Sequence, residues 1–184
     1  MKKYILTAIC ALACTFAFGA KNTFTVISGS TDALKSAATY TTVFNYENVT
    51  IADMSLADFL ASKDDKFRED WKNVIVPGSE AAGSNVMVIA TDEKWMPETD
   101  GTADYTVTFN FKRMDLGYVA VFGGTKTGGA QFEGTLAITD NATGETVCEI
   151  EFFVAGSSAF SDKDRLTVAY AFMGRDMKKF LKKN

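Results

Sequence analysis

Residues 105–112 read Tyr-Thr-Val-Thr-Phe-Asn-Phe-Lys, a strict alternation of apolar and polar side chains. A period of two places Val107, Phe109 and Phe111 on one face of a β-strand and the intervening polar residues on the other. Such a strand suits a sheet with one buried and one solvent-exposed face, which is typical of antiparallel sheets. This stretch therefore predicts a mostly antiparallel sheet.

Other segments of the chain extend the predicted sheet on both sides of this strand. Residues 132–138 and 146–155 repeat the alternation, and the polar turn at 140–144 favours an antiparallel hairpin between them. Residues 23–27 and 40–46 are rich in β-branched and aromatic side chains, so they predict two further strands.

The longest predicted helix runs from Ser161 to Lys183. Ser161 and Asp164 have the spacing of a capping box, which marks a helix start. The apolar residues that follow recur at i, i+3, i+4 and i+7, at Leu166, Ala169, Tyr170, Met173, Met177, Phe180 and Leu181. This stripe is expected to lie across the sheet.

A second helical region is predicted after Ser55, another capping-box residue. Its later apolar residues have helical spacing, at Phe67, Trp71, Val74 and Ile75. Pro77–Gly78 is expected to end or kink this helix, and the short apolar run 86–90 is expected to be a strand. The predicted fold class is α+β: a two-layer sandwich with a mostly antiparallel sheet, covered on one face by two main helices including the long C-terminal helix.

The first twenty residues have the layout of a secretory signal peptide. Lys2 and Lys3 precede an apolar stretch over residues 4–18, and Gly19 and Ala20 precede the polar residues that follow. We expect cleavage after Ala20 or after Gly19. Residues 1–20 are thus predicted to be a signal peptide, and residues 21–184 a single globular α+β domain without a transmembrane span.

A second interpretation of the same segment is a lipobox, because residues 11–14 read Ala-Leu-Ala-Cys. On that interpretation Cys14 carries the lipid of an outer-membrane lipoprotein, and the domain is held on a membrane. Simple cleavage would instead release a periplasmic or secreted protein.

The composition excludes several chemistries. The 184 residues include no His, three Cys and a formal net charge of −4. Without His there is no Ser-His-Asp triad and no Cys-His pair, and three Cys alone do not make a structural zinc site. The acidic balance argues against nucleic-acid binding. After signal cleavage only Cys148 remains, which predicts no intrachain disulfide. Cys148 shares the apolar face of its predicted strand with Ile150 and Phe152, which predicts a buried, inert thiol.

A glycine-rich segment between two predicted strands is the candidate binding loop. Its candidate residues are Gly123, Gly124, Lys126, Gly128 and Gly129. Glycine backbone beside one lysine can form an anion-binding nest. The alternative is a hairpin loop whose glycines serve only to adopt positive φ.

The C-terminal turn of the last helix concentrates positive charge. Asp176 stands among five basic residues, namely Arg175, Lys178, Lys179, Lys182 and Lys183. Such an end can contact anionic lipid headgroups or an acidic partner. The alternative is that these cations simply complement the negative C-terminus of the helix.

Carboxylates occur in close groups at 64–65, 92–93, 149–151 and 162–164. A glycosidase needs two carboxylates that face each other across a cleft. Helix starts account for the first and last groups, and an exposed strand face accounts for the third. No catalytic residue, metal site or cofactor is therefore predicted.

The order of segments resembles a family of small secreted proteins of unknown function from anaerobic Gram-negative bacteria. The residues that carry the resemblance are Phe44-Asn45-Tyr46, Thr50, Met54, Asp70-Trp71, Ala103-Asp104-Tyr105, Leu116-Gly117, Gly128-Gly129-Ala130, Gly134-Thr135-Leu136, Asp140, Thr143-Gly144-Glu145, Val147-Cys148 and the closing 178–183. The topology is also similar to that of envelope accessory domains, such as lipoprotein activators of penicillin-binding proteins and the curli secretion component. These likenesses imply an envelope location and name no chemistry.

The leading functional hypothesis is an exported cell-envelope protein that acts as a non-enzymatic binding or assembly module. Its expected partner is an envelope protein or polymer, with no nucleic acid. Two alternatives are a His-free, carboxylate-dependent hydrolase of glycans and a small-molecule carrier with a cavity between sheet and helices.

Overall fold

The computed structural model of the protein describes residues 21–99, 101–117 and 128–184. Within those ranges eight strands form one sheet. The strands are β1 Thr23–Gly29, β2 Ala38–Asn45, β3 Thr50–Ile51, β4 Met54–Ser55, β5 Trp95–Pro97, β6 Tyr105–Asp115, β7 Gln131–Asp140 and β8 Thr146–Ala155.

The sheet is mixed but mostly antiparallel, in the order β1-β8-β7-β6-β2-β5. The long neighbours β1/β8, β8/β7 and β7/β6 pair antiparallel. Parallel pairing joins β2 to β5 and to β6. The small hairpin β3–β4 attaches to β6 through β3, also in parallel. The predicted fold class, α+β with a mostly antiparallel sheet, is confirmed.

The alternation in β6 sets the two faces of the sheet. Val107, Phe109 and Phe111 are buried on the covered face. The register between β6 and β7 shifts after Phe111, and this irregularity brings Met114 back into the core three residues later. Aromatic rings from neighbouring strands meet there, with Phe44 stacked on Phe109 at a centroid distance of 5.3 Å.

Helices cover that face. They are a 3₁₀ turn Thr31–Lys35, α1 Leu56–Ala61, α2 Asp65–Asp70, a π-helical turn Trp71–Ile75, α3 Val76–Gly83, α4 Val86–Ala90 and α5 Asp162–Leu181. The Ser161 hydroxyl accepts from the Asp164 backbone N–H at 3.1 Å, which confirms the predicted start of α5. The apolar stripe of α5 faces the sheet, and Leu166, Tyr170 and Met177 are buried.

The helix was expected to end or kink at Pro77–Gly78, and the predicted end was wrong, because α2, the π turn and α3 follow one another without a break. The predicted kink stays a prediction. Pro77 lies at the first positions of α3, directly after the π turn. A π turn shifts the hydrogen-bond pattern by one residue, which creates a position where the missing N–H of proline is tolerated.

The strand predicted at 86–90 was also wrong, since these residues form α4. Val86, Met87 and Ala90 are buried, and this spacing fits one side of a helix. α4 packs against α5 at Gly174, where an added Cβ would lie 2.9 Å from the Ile89 Cβ. A run of five apolar residues is too short for its periodicity to distinguish a helix from a strand. Packing against α5 therefore determines that residues 86–90 form a helix.

Candidate functional site

The described residues contain only part of the predicted glycine-rich binding loop. Gly123, Gly124 and Lys126 lie outside the described residues. Gly128 and Gly129 are described, and they follow Gly117 across the gap in the described chain. The prediction of an anion-binding loop therefore stays a prediction for its first three residues.

Gly128 and Gly129 lie where the backbone is closely packed between the segments around Gly117 and Gly156. A Cβ at Gly117 would lie 2.3 Å from the Gly128 carbonyl oxygen, and one at Gly129 would lie 2.1 Å from the Gly156 carbonyl oxygen. Gly156 in turn lies so close to α5 that its Cβ would meet the Ala169 Cα at 3.0 Å. Positive φ at Gly117, +68°, adds a second requirement for glycine. These contacts give Gly128 and Gly129 a packing role.

Arg165, in the first turn of α5, holds the segment around Leu116 and Gly117 against this helix through hydrogen bonds. Its side chain is buried, and its Nε donates to the Leu116 carbonyl at 2.6 Å. Nη1 donates to the carbonyls of Ala159, at 3.1 Å, and Phe160, and Nη2 pairs with Asp162. One guanidinium group therefore ties the end of β6 and the segment before α5 to the first turn of that helix. The i, i+3 spacing of Asp162 and Arg165 was visible in the sequence, but their burial was not.

A cleft of about 520 Å³ lies beside Arg165, which forms part of its lining. Its apolar lining includes Phe67, Val74 and Phe160, and its polar lining includes Asp70 and Lys163. Phe160 is 95% exposed and Val74 is 48% exposed. We call this cleft, lined by Phe67, Asp70, Val74, Phe160 and Lys163 among others, the Phe160 cleft. A nearly fully exposed aromatic residue beside an exposed aliphatic one is typical of a contact surface.

A second cleft, of about 610 Å³, lies at the end of the sheet where β2 and β6 begin and β7 ends. The Asp104 carboxylate accepts from the Thr39 backbone N–H, at 2.8 Å, and from its hydroxyl, at 2.9 Å, and these bonds lower the pKa of Asp104. Asp140 accepts from the Ala142 backbone N–H in the β7–β8 turn at 2.8 Å. Both acids thus hold the backbone in place.

The hydrolase alternative gains no support from the acids in these two clefts. In the Phe160 cleft, Asp162 pairs with Arg165 and Asp70 pairs with Lys66. Each of the four cleft carboxylates is therefore engaged in a hydrogen bond or ion pair with groups of this chain. A glycosidase instead needs two carboxylates that face each other across a cleft and reach the substrate.

Glu80, Tyr46 and Tyr170 form a polar cluster between α3, α5 and the end of β2. Burial raises the pKa of the Glu80 carboxyl group, and the Tyr46 hydroxyl contacts it. Burial, followed by the Glu80 charge, raises the pKa of Tyr46. The Tyr170 hydroxyl is buried without a hydrogen-bond partner of normal geometry among the described residues. The cluster lines neither cleft, and no local sequence signal marks it, because Tyr170 fits the apolar stripe of α5.

Cys148 lies on the covered face of β8 and is fully buried. Burial raises the pKa of its thiol to about 11. Since the thiolate is the reactive form, this position makes Cys148 unreactive. The predicted buried thiol is confirmed.

The cations at the end of α5 are held by two carboxylates. Asp176 accepts from Lys179 Nζ at 2.7 Å and pairs with Arg175 at 3.1 Å. Asp92, in the turn after α4, pairs with Lys178 and with Lys182, the latter at 3.3 Å. These carboxylates are on different elements, so the cluster joins α5 to the turn that leads into β5.

Asp176→Asn is expected to lower the free energy of unfolding by about 1–2 kcal/mol at pH 7. Burial opposes ionisation of Asp176, but hydrogen bonds from Arg175, Lys179 and Asn22 outweigh it and lower its pKa from 3.8 to about 2. A depressed folded-state pKa stabilises the fold above the unfolded value, and this stabilisation is lost as the pH falls from about 4 towards 2. Urea unfolding at neutral and acidic pH measures the effect.

Asp32→Asn is the control, because Asp32 pairs with Lys35 at the exposed surface and its loss should change stability little. The difference between wild type and Asp176→Asn should shrink at low pH. An equal difference at both pH values would contradict the role given to the Asp176 charge.

Comparison with protein families gives no match, and neither does comparison with curated protein sequences. Among solved structures, PelC in a dodecamer from Paraburkholderia phytofirmans aligns at 12% identity over 86% of this chain and 98% of its own, with a TM-score of 0.42. The DUF330 protein XCC0632 from Xanthomonas campestris aligns at 11% identity over 85% of this chain and 89% of its own, with a TM-score of 0.35. Neither likeness assigns a function to this chain.

Among the described helices, none has the length and apolar character needed to cross a membrane.

Proposed function

We propose that the chain is an exported cell-envelope protein that works as a non-enzymatic binding or assembly module, with the Phe160 cleft as its contact surface. The observation that carries the proposal is the 95% exposure of Phe160 beside a cleft of about 520 Å³. Burying such a side chain against a partner is worth about 2 kcal/mol or more, which is the scale of an interface hot spot.

The backbone of Phe160 is fixed although its ring is exposed. The carbonyls of Ala159 and Phe160 both accept hydrogen bonds from the buried Arg165. Ser161 then caps α5 through the Asp164 backbone N–H, so the residue after Phe160 is fixed too. A backbone that is already fixed loses little conformational entropy on binding, which favours affinity.

The residues that line the cleft favour a protein partner with an apolar side chain. Phe67 and Val74 contribute apolar surface, while Asp70 and Lys163 contribute one charge of each sign. Protein interfaces likewise combine apolar contacts with polar and charged groups.

Export is supported by the predicted signal peptide at residues 1–20. The resemblance to small secreted proteins of anaerobic Gram-negative bacteria agrees with it. We propose a periplasmic or secreted location, with lipid anchoring at Cys14 as the alternative for the mature N-terminus. Fractionation of Gram-negative cells that produce the full chain, with N-terminal sequencing, tests both. Recovery of the protein mainly from the cytoplasm would contradict export.

Crosslinking and pull-down from the cell envelope test the contact surface. Phe160→Ser should reduce the captured partner by about tenfold or more, because the aromatic contact is lost. Val43→Ser is the matched control, since Val43 is also an exposed apolar residue, at 46%, but lies on β2. Equal capture by both variants would overturn the assignment of the cleft.

A further inference from the structure

Three segments that are distant in sequence bring their cations together at the C-terminal end of α5. Lys178 and Lys182 reach Asp92, in the turn after α4. Lys94, two residues later, donates to the Lys35 carbonyl at 2.9 Å, and Lys35 Nζ donates to the Asn184 carbonyl at 3.3 Å. We define the cationic pole as Lys35, Lys94, Arg175, Lys178, Lys179, Lys182 and Lys183.

The cationic pole keeps a positive surplus after its ion pairs are counted. Its seven basic side chains pair with three acidic ones, Asp32, Asp92 and Asp176, and Glu93, next to Asp92 in the chain, is counted as a fourth. The other described residues hold nine basic and eighteen acidic side chains. The protein is therefore acidic overall with one positive end, and a charge distribution of this kind orients a molecule towards an anionic surface.

The cations at this end are accessible and held in place. The side chains of Lys179 and Lys182 are 65% and 64% exposed. Because Asp92 and Asp176 each contact two cations, they fix the positions of four basic side chains without neutralising them all.

Apolar side chains lie among these cations. Ile89 is 40% exposed and sits beside Gly174 of α5. The Arg175 guanidinium lies over the ring of the half-buried Phe172, 4.2 Å from its centroid. Cations mixed with exposed apolar side chains suit the boundary between lipid headgroups and acyl chains.

We propose that the cationic pole docks the protein on the anionic phospholipid headgroups of a membrane. A spread of cations over three segments, outside both described clefts, fits a flat anionic surface better than a single bound anion. α5 has 20 residues, so its two ends lie about 30 Å apart. Since the Phe160 cleft is at the other end of α5, membrane docking would leave that cleft turned away from the bilayer.

Cosedimentation of the purified exported protein with vesicles tests this proposal. The probe is phosphatidylcholine vesicles with and without phosphatidylglycerol. Binding should require phosphatidylglycerol and should be lost at about 0.5 M salt, where charges are screened within a few ångströms. Each lysine near such a surface contributes about a fivefold factor, so the triple variant K179Q/K182Q/K183Q should bind on the order of 100-fold more weakly.

The triple variant K63Q/K66Q/K72Q is the control, because it removes the same charge from the α1–α3 region. It should bind vesicles as wild type does, apart from a small effect of net charge. Phe160→Ser should also keep vesicle binding, which separates this proposal from the partner-binding one. Circular dichroism confirms that each variant is folded.

Three results would overturn the proposal. The first is equal binding to vesicles with and without phosphatidylglycerol. The second is an equal loss of binding in both triple variants. The third is binding to a soluble polyanion, such as dextran sulfate, without binding to the anionic vesicles, because the partner would then be a polymer.

Discussion

Arg165→Met is expected to lower the free energy of unfolding by about 3 kcal/mol. The variant keeps an apolar stem in the buried site but removes every donor. The carbonyls of Leu116 and Ala159 would lose bonds of 2.6 and 3.1 Å, and Asp162 would lose its ion pair. The bond to Leu116 is buried, and a buried acceptor that loses its donor is costly because water does not replace it there. Urea unfolding followed by circular dichroism measures the change.

Arg68→Met is a close match for the control. Arg68 also pairs with an aspartate three residues earlier, Asp65, and also donates to a backbone carbonyl, that of Lys63. Its side chain is 42% exposed, against 6% for Arg165. The control should therefore cost less than about 1 kcal/mol. If both variants lost the same stability, burial would not be the reason that Arg165 matters.

Gly129→Ala is expected to destabilise the protein by about 3 kcal/mol, a fall of about 10 °C in Tm for a chain of this size. The new methyl group would lie 2.1 Å from the Gly156 carbonyl oxygen and 2.4 Å from its carbon. Both atoms belong to the backbone, so relief requires a shift of the segment that Gly156 packs against α5. Thermal unfolding of the purified protein measures the effect without any ligand.

Gly144→Ala separates the clash from the general cost of replacing a glycine. Gly144 has a φ of +73° in the β7–β8 turn, but an added Cβ meets nothing within 4 Å. Its replacement should cost only the left-handed strain, about 1–2 kcal/mol. If Gly129→Ala kept its Tm but lost partner capture, Gly129 would be a binding residue, as the loop hypothesis requires.

Local signals predicted most of the regular structure. The caps at Ser55 and Ser161 depend on residues three positions away, and both hydroxyls accept the expected N–H bonds. The alternation in β6 likewise needed only its own residues to identify the buried face. Such signals can be recognised from the sequence because the interacting groups are close together in the chain.

The two errors had different causes. α4 is a helix because Val86 and Ile89 pack on Gly174, far along the chain, and no window of local sequence contains that contact. At Pro77 the cause was local: the π turn directly before the proline lets the helices continue where a regular α-helix would be interrupted.

The features proposed as functional also depend on contacts between segments that are distant in the sequence. Phe160 is an ordinary apolar residue in the sequence, and only the fold leaves it 95% exposed. The sequence did mark the cations of α5, but Lys35 and Lys94 join them only through contacts between separate segments.

The sequence alone thus determined the α+β class, the half-buried sheet and the long final helix, because alternation and capping act between neighbouring residues. The tertiary structure decided which apolar side chains stay exposed, which arginine is buried and where the cations converge. Exposure and charge density are properties of a surface, and they depend on which segments the core brings together. The functional proposals for this protein rest on that surface.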